Sequence, residues 1–216
     1  MALVFARAYC KLKKGDPAAQ EMAKPKCSTS KDVLNFYSPQ LAAAGLDTNT
    51  GGPDTLRHLF AVLIGLAMPE SSGRYWLGAD PGADNHDGES AEAGLFQTSW
   101  NARTASIVLM VNLYKSYSSN PDGFLSVFKE GVRPPGPHDN TTNYGTGDGL
   151  AYQQLSKSCP AFAAEFSAVG LRNISGPHPG GHWGTISDGL VQIIVECDMM
   201  LQAVQKAVDA AGIQSV

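Results

Sequence analysis

Apolar residues recur along most of this chain at helical spacing, and strand-like alternation of apolar and polar positions is scarce. Residues 2–13 and 17–24 are predicted as short helices broken at Gly15-Asp16-Pro17. Residues 31–44 form a third, with Ser30 as its N-cap and Gly45 as its stop. The turn TNTGGPD leads into a helix over 54–68, and Pro53 suits its first turn. Leu56, Leu59, Phe60, Val62, Leu63, Ile64, Leu66 and Ala67 leave that helix almost no polar face, which marks it as a buried core helix. Pro69 is expected to end or kink it at Met68.

Residues 76–93 read as an acidic loop without periodicity. Further helices are predicted at 103–117, 121–130, 149–157, 160–169 and 187–210, with breaker-rich loops between several of them. The expected class is all-α with at most a small β element. No internal repeat is visible and nothing demands a second domain. The expectation is therefore one domain over 1–216, with 1–45 a basic helical segment packed on it.

Composition narrows the function classes. The 216 residues are 43% hydrophobic and 17% charged, with 23 glycines and 13 prolines, which fits a packed core carrying long loops rather than a disordered chain. A net charge of −4 gives no electrostatic footprint for nucleic acid. Arg7, Lys11, Lys13, Lys14, Lys24, Lys26 and Lys31 nonetheless concentrate positive charge near the start, a candidate face for an anionic polymer. The longest apolar stretch, 59–68, is half a membrane span, so no membrane insertion is expected. The opening MALVFARAYCK is too short for a signal peptide, and the expectation is that a leader has been removed.

Cys10, Cys27, Cys159 and Cys197 form an early and a late pair, which suggests Cys10–Cys27 and Cys159–Cys197 bridges in a secreted protein, although three pairings are possible. No cysteine and histidine spacing suggests zinc, and the acidic loop lacks EF-hand spacing, so neither metal nor cofactor is expected. Nucleophile elbows, phosphate loops and dinucleotide fingerprints are absent. Asn140-Thr141-Thr142 and Asn173-Ile174-Ser175 are acceptor sequons that matter only in a eukaryotic secretory host.

The chemistry concentrates in Glu70-Ser71-Ser72-Gly73-Arg74-Tyr75, followed after the acidic loop by Ala93-Gly94-Leu95-Phe96-Gln97-Thr98-Ser99. These two segments, in this order between two apolar helices, resemble the lysozyme-like superfamily, in particular lytic transglycosylases and goose-type lysozymes. The resemblance covers about a fifth of the chain. It implies a lysozyme-like fold, Glu70 as the catalytic acid, and Ser71, Gly94, Leu95, Phe96 and Gln97 as part of the saccharide site. The implied partner is a polysaccharide, peptidoglycan or a chitin-type glycan, cleaved by a monomer.

Glycoside cleavage needs a carboxylic acid that stays protonated near neutral pH, and burial at an apolar helix end favours that form. A helix C-terminus pushes the same way, whereas a fresh helical turn opened by Pro69 would reverse the dipole's effect. A hydrolase of the inverting type also needs a second carboxylate as base. Glu92 is the preferred candidate, and Asp84 and Asp87 are the alternatives from the loop. A transglycosylase needs only the one Glu, because a substrate hydroxyl closes a 1,6-anhydro ring. Tyr75, Trp76, Phe96 and Trp100 supply aromatic faces for a pyranose. Tyr144, in a reversed form of the Tyr-Asn pair that many transglycosylases carry, and the His182-Trp183 loop complete the substrate-binding candidates. His58 reads as structural. The competing functions are chitinase or chitosanase, and a glycan-binding module without turnover.

Overall fold

The structure, a computed structural model, describes residues 1–29, 31–120, 135–173 and 189–212. Helix takes up 58% of it and strand 1%, with no sheet among the described residues, so the chain is all-α as its periodicity predicts. No described helix is long and apolar enough to cross a membrane. The chain divides into two compact units, Met1–Leu66 with Ala168–Val216, and Ala67–Ser167.

In the first unit, α1 (Ala2–Lys13) and α2 (Pro17–Met22) stand where they were expected, and Asp16 caps α2 by accepting the Ala19 N–H at 2.9 Å. The single helix expected over 31–44 is instead two, α3 (Val33–Phe36) and α4 (Ser38–Ala43). Pro39 explains the break, since it has no N–H for the Asn35 carbonyl and its ring crowds that group. The cap of α3 is Asp32, whose Oδ1 accepts from the Leu34 N–H at 3.0 Å; Ser30 lies outside the described residues. Gly45, at φ +74°, stops α4 as predicted.

Helix α5 (Pro53–Ser71) starts at the predicted proline but does not end at Met68. It runs through Pro69, which gives up the helical bond to the Gly65 carbonyl. The last turn is closed by Ser72 N–H to the Met68 carbonyl (2.8 Å) and Gly73 N–H to the Ala67 carbonyl (3.1 Å), with Ser72 left-handed at φ +53°.

The C-terminal helix α9 (Val195–Ala210) begins later than the predicted 187. Residues 190–194 are not helical because this stretch packs closely: the Val191 N–H donates to the Tyr37 hydroxyl at 3.3 Å, and a side chain on Gly65 would collide with the Gln192 carbonyl. Helices α1 and α9 meet through Asp209, which accepts from the Tyr9 hydroxyl and from Lys13 Nζ, each at 2.8 Å. Lys24 likewise pairs with Glu21, so part of the N-terminal positive charge is neutralised locally.

Two buried polar clusters organise this unit. Arg172 and Asp32 are 3% and 0% exposed, and the guanidinium donates twice to the carboxylate (3.0 and 2.9 Å) and once each to the Met22, Lys24 and Pro25 carbonyls. Asp32 also accepts from the Cys27 N–H at 2.7 Å. The second cluster ties α5 to α9: Arg57 donates to Asp198 and to Gln205, each at 2.9 Å, and to Asp54. Buried His58 sits beside it, as its structural reading anticipated. Its Nδ1 lies 2.7 Å from the Asp47 carbonyl, which only a protonated Nδ1 can satisfy, leaving Nε2 to accept from Arg57 Nη2 at 3.3 Å.

The second unit is built on an aromatic core. Trp100 opens a 3-10 turn (Trp100–Ala105) where the predicted helix was to begin, and α6 proper is Ile107–Ser118. Helices α7 (Gly147–Ser158) and α8 (Pro160–Leu171, shared with the first unit) match their predicted positions closely. Trp100, Tyr114, Tyr152, Phe162 and Phe166 pack with ring centroids 4.8–6.3 Å apart. The helix predicted at 121–130 lies outside the described residues.

All four cysteines are free thiols, with Cys10 and Cys159 buried, Cys197 half-buried and Cys27 exposed; neither expected bridge is formed in this structure.

Two outcomes are expected. Arg172→Met leaves the Asp32 carboxylate buried without its counter-ion and lowers unfolding free energy by about 3–5 kcal/mol, read by urea denaturation. Burial, the largest influence on His58, holds its pKa below the ordinary value. The unfolded chain therefore takes up a proton near pH 6.5 while the folded one resists it. The His58 contribution is intact above about pH 6.5 and is lost as pH falls toward the depressed folded value. Thermal melts at pH 7.5 and 5.0 should show a larger drop for the native chain than for His58→Gln.

Candidate functional site

The end of α5 and the Ala93–Ser99 segment, 20 or more residues apart in the chain, meet inside the second unit. Ala93 and Thr98 form an antiparallel bridge, with the Ala93 N–H donating to the Thr98 carbonyl at 2.9 Å. Gly94-Leu95-Phe96-Gln97 make the turn between them. Gln97 donates to the Gly94 carbonyl from its backbone (3.3 Å) and from its side-chain Nε2 (2.9 Å). The turn requires φ +81° at Gly94 and +44° at Gln97, the second an uncommon conformation for a residue with a side chain. Gly94 is also needed for space, since a Cβ there would sit 2.9 Å from the Ser156 carbonyl oxygen.

Ser71 joins the two segments. Its buried hydroxyl is within hydrogen-bonding distance of the Ala67 carbonyl (3.1 Å) and of the Leu95 carbonyl (2.8 Å). The Gly94 N–H adds a bond to the Leu77 carbonyl at 2.8 Å. Glu70 immediately precedes Ser71, half-buried in the last turn of α5. That places it at the negative end of the helix rather than on a fresh turn opened by Pro69. Leu95 and Phe96 are buried, so their backbone, not their side chains, is what the turn can present.

The remaining candidates divide by what already holds them. Glu92 is half-buried one residue before the bridge, and its charge adds to the burial that pushes the Tyr152 phenol upward. Asp84 is exposed. Asp87 is exposed too, but its carboxylate accepts from the Glu89 and Ser90 N–H groups and from the Ser90 hydroxyl at 2.6–2.9 Å. Those bonds, the Ser90 hydroxyl first, hold it below the ordinary carboxylate range, so it serves its own turn and is a poor proton acceptor.

Tyr75 is half-buried and packs edge-on against Trp76 with centroids 5.1 Å apart; burial pushes its phenol upward. Trp100 is only 4% exposed, and Arg103 lies 4.6 Å from its ring centre, so the indole is a core residue with no open face for a sugar. Tyr144 is half-buried and stacks on His86 at 4.2 Å, while the Gln153 side-chain amide bonds both its N–H and its carbonyl at 2.9 Å. His182 and Trp183 lie outside the described residues.

Three features escaped the sequence reading. Asp139 clamps the segment after α5, accepting from Arg74 (2.7 Å), from the Trp76 indole (2.8 Å) and from the Gly136 N–H (2.8 Å); the last of these contributes most to holding its carboxylate low. Glu165 is fully buried on α8, a carboxylate amid alanine and phenylalanine in the sequence. The Thr98 hydroxyl and the Tyr152 hydroxyl form a buried pair at 2.6 Å beneath the turn's second strand residue. Only Glu165 carries a local signal, an acid interrupting an otherwise apolar helix.

Among the described residues no group of three His, Cys, Asp or Glu side chains is placed to hold a metal ion. Comparison with protein-family models, with characterised proteins and with solved structures finds no match for this chain.

Ser71→Ala leaves the Leu95 carbonyl without its partner. The expected loss is about 1–3 kcal/mol of stability, measured by denaturant titration. Ser71→Thr, which keeps a hydroxyl, is expected to lose less.

Proposed function

We propose that this chain cleaves β-1,4-linked amino-sugar polymers, peptidoglycan ahead of chitin-type glycans, with Glu70 as the general acid. The observation that carries the reading is the Ser71 hydroxyl's contact with the Leu95 carbonyl. It brings the glutamate-bearing helix end against the Gly94–Gln97 turn, the two segments whose sequence resembles lysozyme-like enzymes. A half-buried carboxyl beside a rigid turn that presents peptide groups suits protonation of a glycosidic oxygen while those groups hold an N-acetyl substituent.

In the hydrolytic version Glu92 activates water or stabilises the positively charged sugar. The bonds that hold Asp87 favour it over that residue. In a second reading cleavage is lytic with Glu70 alone: the sugar's own hydroxyl attacks and a 1,6-anhydro product leaves. Both versions act outside the cell and need no cofactor.

Digestion of purified peptidoglycan, chitin and chitosan with product mass analysis tests the proposal. New reducing ends indicate hydrolysis, and products lighter by one water indicate the lytic route. Glu70→Gln is expected to lower the rate by about 10²–10⁴-fold. Full activity in that variant, or no product from any polymer, ends the reading.

A further inference from the structure

We propose that the outward face of α9 binds a second copy of this chain, the two α9 helices pairing antiparallel about a two-fold axis level with position 201. The pairing stands apart from the glycoside-cleaving reading, and it replaces the monomer implied by the family resemblance with a weak dimer.

Exposed apolar side chains are not spread evenly over the described residues. Five of the nine large ones, Leu190, Ile194, Val195, Met199 and Met200, lie between 190 and 200. Scattered singly they would need no explanation, but gathered at the start of one helix they mark a surface that another molecule covers. The helix itself shows which side is inside. Asp198, Leu201 and Val208 are buried, and Gln205 bonds Arg57 on α5 at 2.9 Å. Val195, Met199, Gln202 and Lys206 follow one another at spacings of four, three and four residues, which puts them on one stripe of the opposite side. All four are exposed, Met199 at 62%, and exposed Ala203 lies beside them.

Charge selects the occupant and its direction. Glu196 in the first turn of α9 and Lys206 in its second half are both exposed and form no ion pair among the described residues. The other two acids of α9 are committed, Asp198 to Arg57 and Asp209 to Tyr9 and Lys13. A second α9 laid parallel would set Glu196 against Glu196 and Lys206 against Lys206. Turned antiparallel, it sets each Glu196 against Lys206 of the other copy, twice over by symmetry, and opposes the two helix dipoles.

Position 201 is midway between those two charges, so one register fixes the rest of the stripe. Met199 stands level with Ala203 of the second copy, and Val195 with Ala207, large side chains against small ones in both layers. A pair of helices this short buries less than ~1,200 Å², the lower bound for stable complexes, so the dimer depends on protein concentration.

Sedimentation of the full chain under reducing conditions, which keep exposed Cys27 from cross-linking copies, tests the pairing. The average mass is expected to rise with protein concentration toward twice that of the monomer. Met199→Glu puts a charge into the shared stripe and should raise the dimer Kd roughly tenfold. Glu196→Lys alone and Lys206→Glu alone each set like charges together and should raise it roughly fivefold. An equimolar mixture of those two variants restores opposite charges at both contacts and should associate as tightly as the native chain, a rescue that misfolding does not produce. A zero-length carbodiimide cross-link should also join Glu196 to Lys206. Within one copy their ten-residue separation is about 15 Å of helix, too far for a direct amide. Monomer at every concentration, or a dimer that neither Met199→Glu nor the charge variants weaken, would overturn the assignment. A chain that stays monomeric yet sediments with phosphatidylglycerol vesicles would overturn it too, giving the face to a lipid surface.

Discussion

Irregular backbone can be buried only where every N–H and carbonyl finds a partner, and this chain, with its long loops, meets that constraint through a few single side chains. Arg172 is the fullest case. All of its donors are used, two on Asp32 and three on carbonyls of the Met22–Pro25 stretch. Asp32 uses its remaining capacity on the Cys27 and Leu34 N–H groups. A buried ion pair is costly to desolvate, and it persists here because both partners are saturated by hydrogen bonds. Losing either would free a whole segment of the first unit.

The second unit applies the same device where chemistry is proposed. Asp139 gathers Arg74, Trp76 and Gly136; Gln153 holds both backbone groups of Tyr144; Ser71 reaches the carbonyl of Leu95. Each fixes a loop from the side, and the result is a rigid frame around the end of α5. Glu70 gains its setting from this frame, since the helix end and the turn are held together one residue away from it. The left-handed conformations at Ser72 and Gln97 belong to the same frame, one closing the helix and the other closing the turn. Side chains at uncommon backbone conformations persist where surrounding bonds over-determine them.

The frame also separates acids that look alike in sequence. Asp87 and Asp139 are both held low by bonds to backbone N–H groups, which suits them to organising loops and not to moving protons. Glu70 and Glu92 are half-buried beside the turn, and their proposed roles rest on that setting. Trp100 shows the reverse lesson. An aromatic residue next to a glycan-site motif reads as a sugar platform, yet its faces belong to Tyr114, Tyr152, Phe166 and Arg103.

The sequence by itself determined the helical class, the starts of α2 and α5, the stop after α4 and the two segments that carry the proposed chemistry. Those signals are local: a 3.6-residue period, a proline at a first turn and a glycine after a helix. The split of 31–44 at Pro39 is a local effect too, though not read from the sequence, whereas tertiary structure decided that residues 190–194 stay out of α9. It also decided which carboxylates are tied down and that Ser71 meets Leu95. Those outcomes depend on partners as far as 154 residues away, as Tyr37 and Val191 are, and hydrogen bonds of that reach leave no periodic trace in the chain.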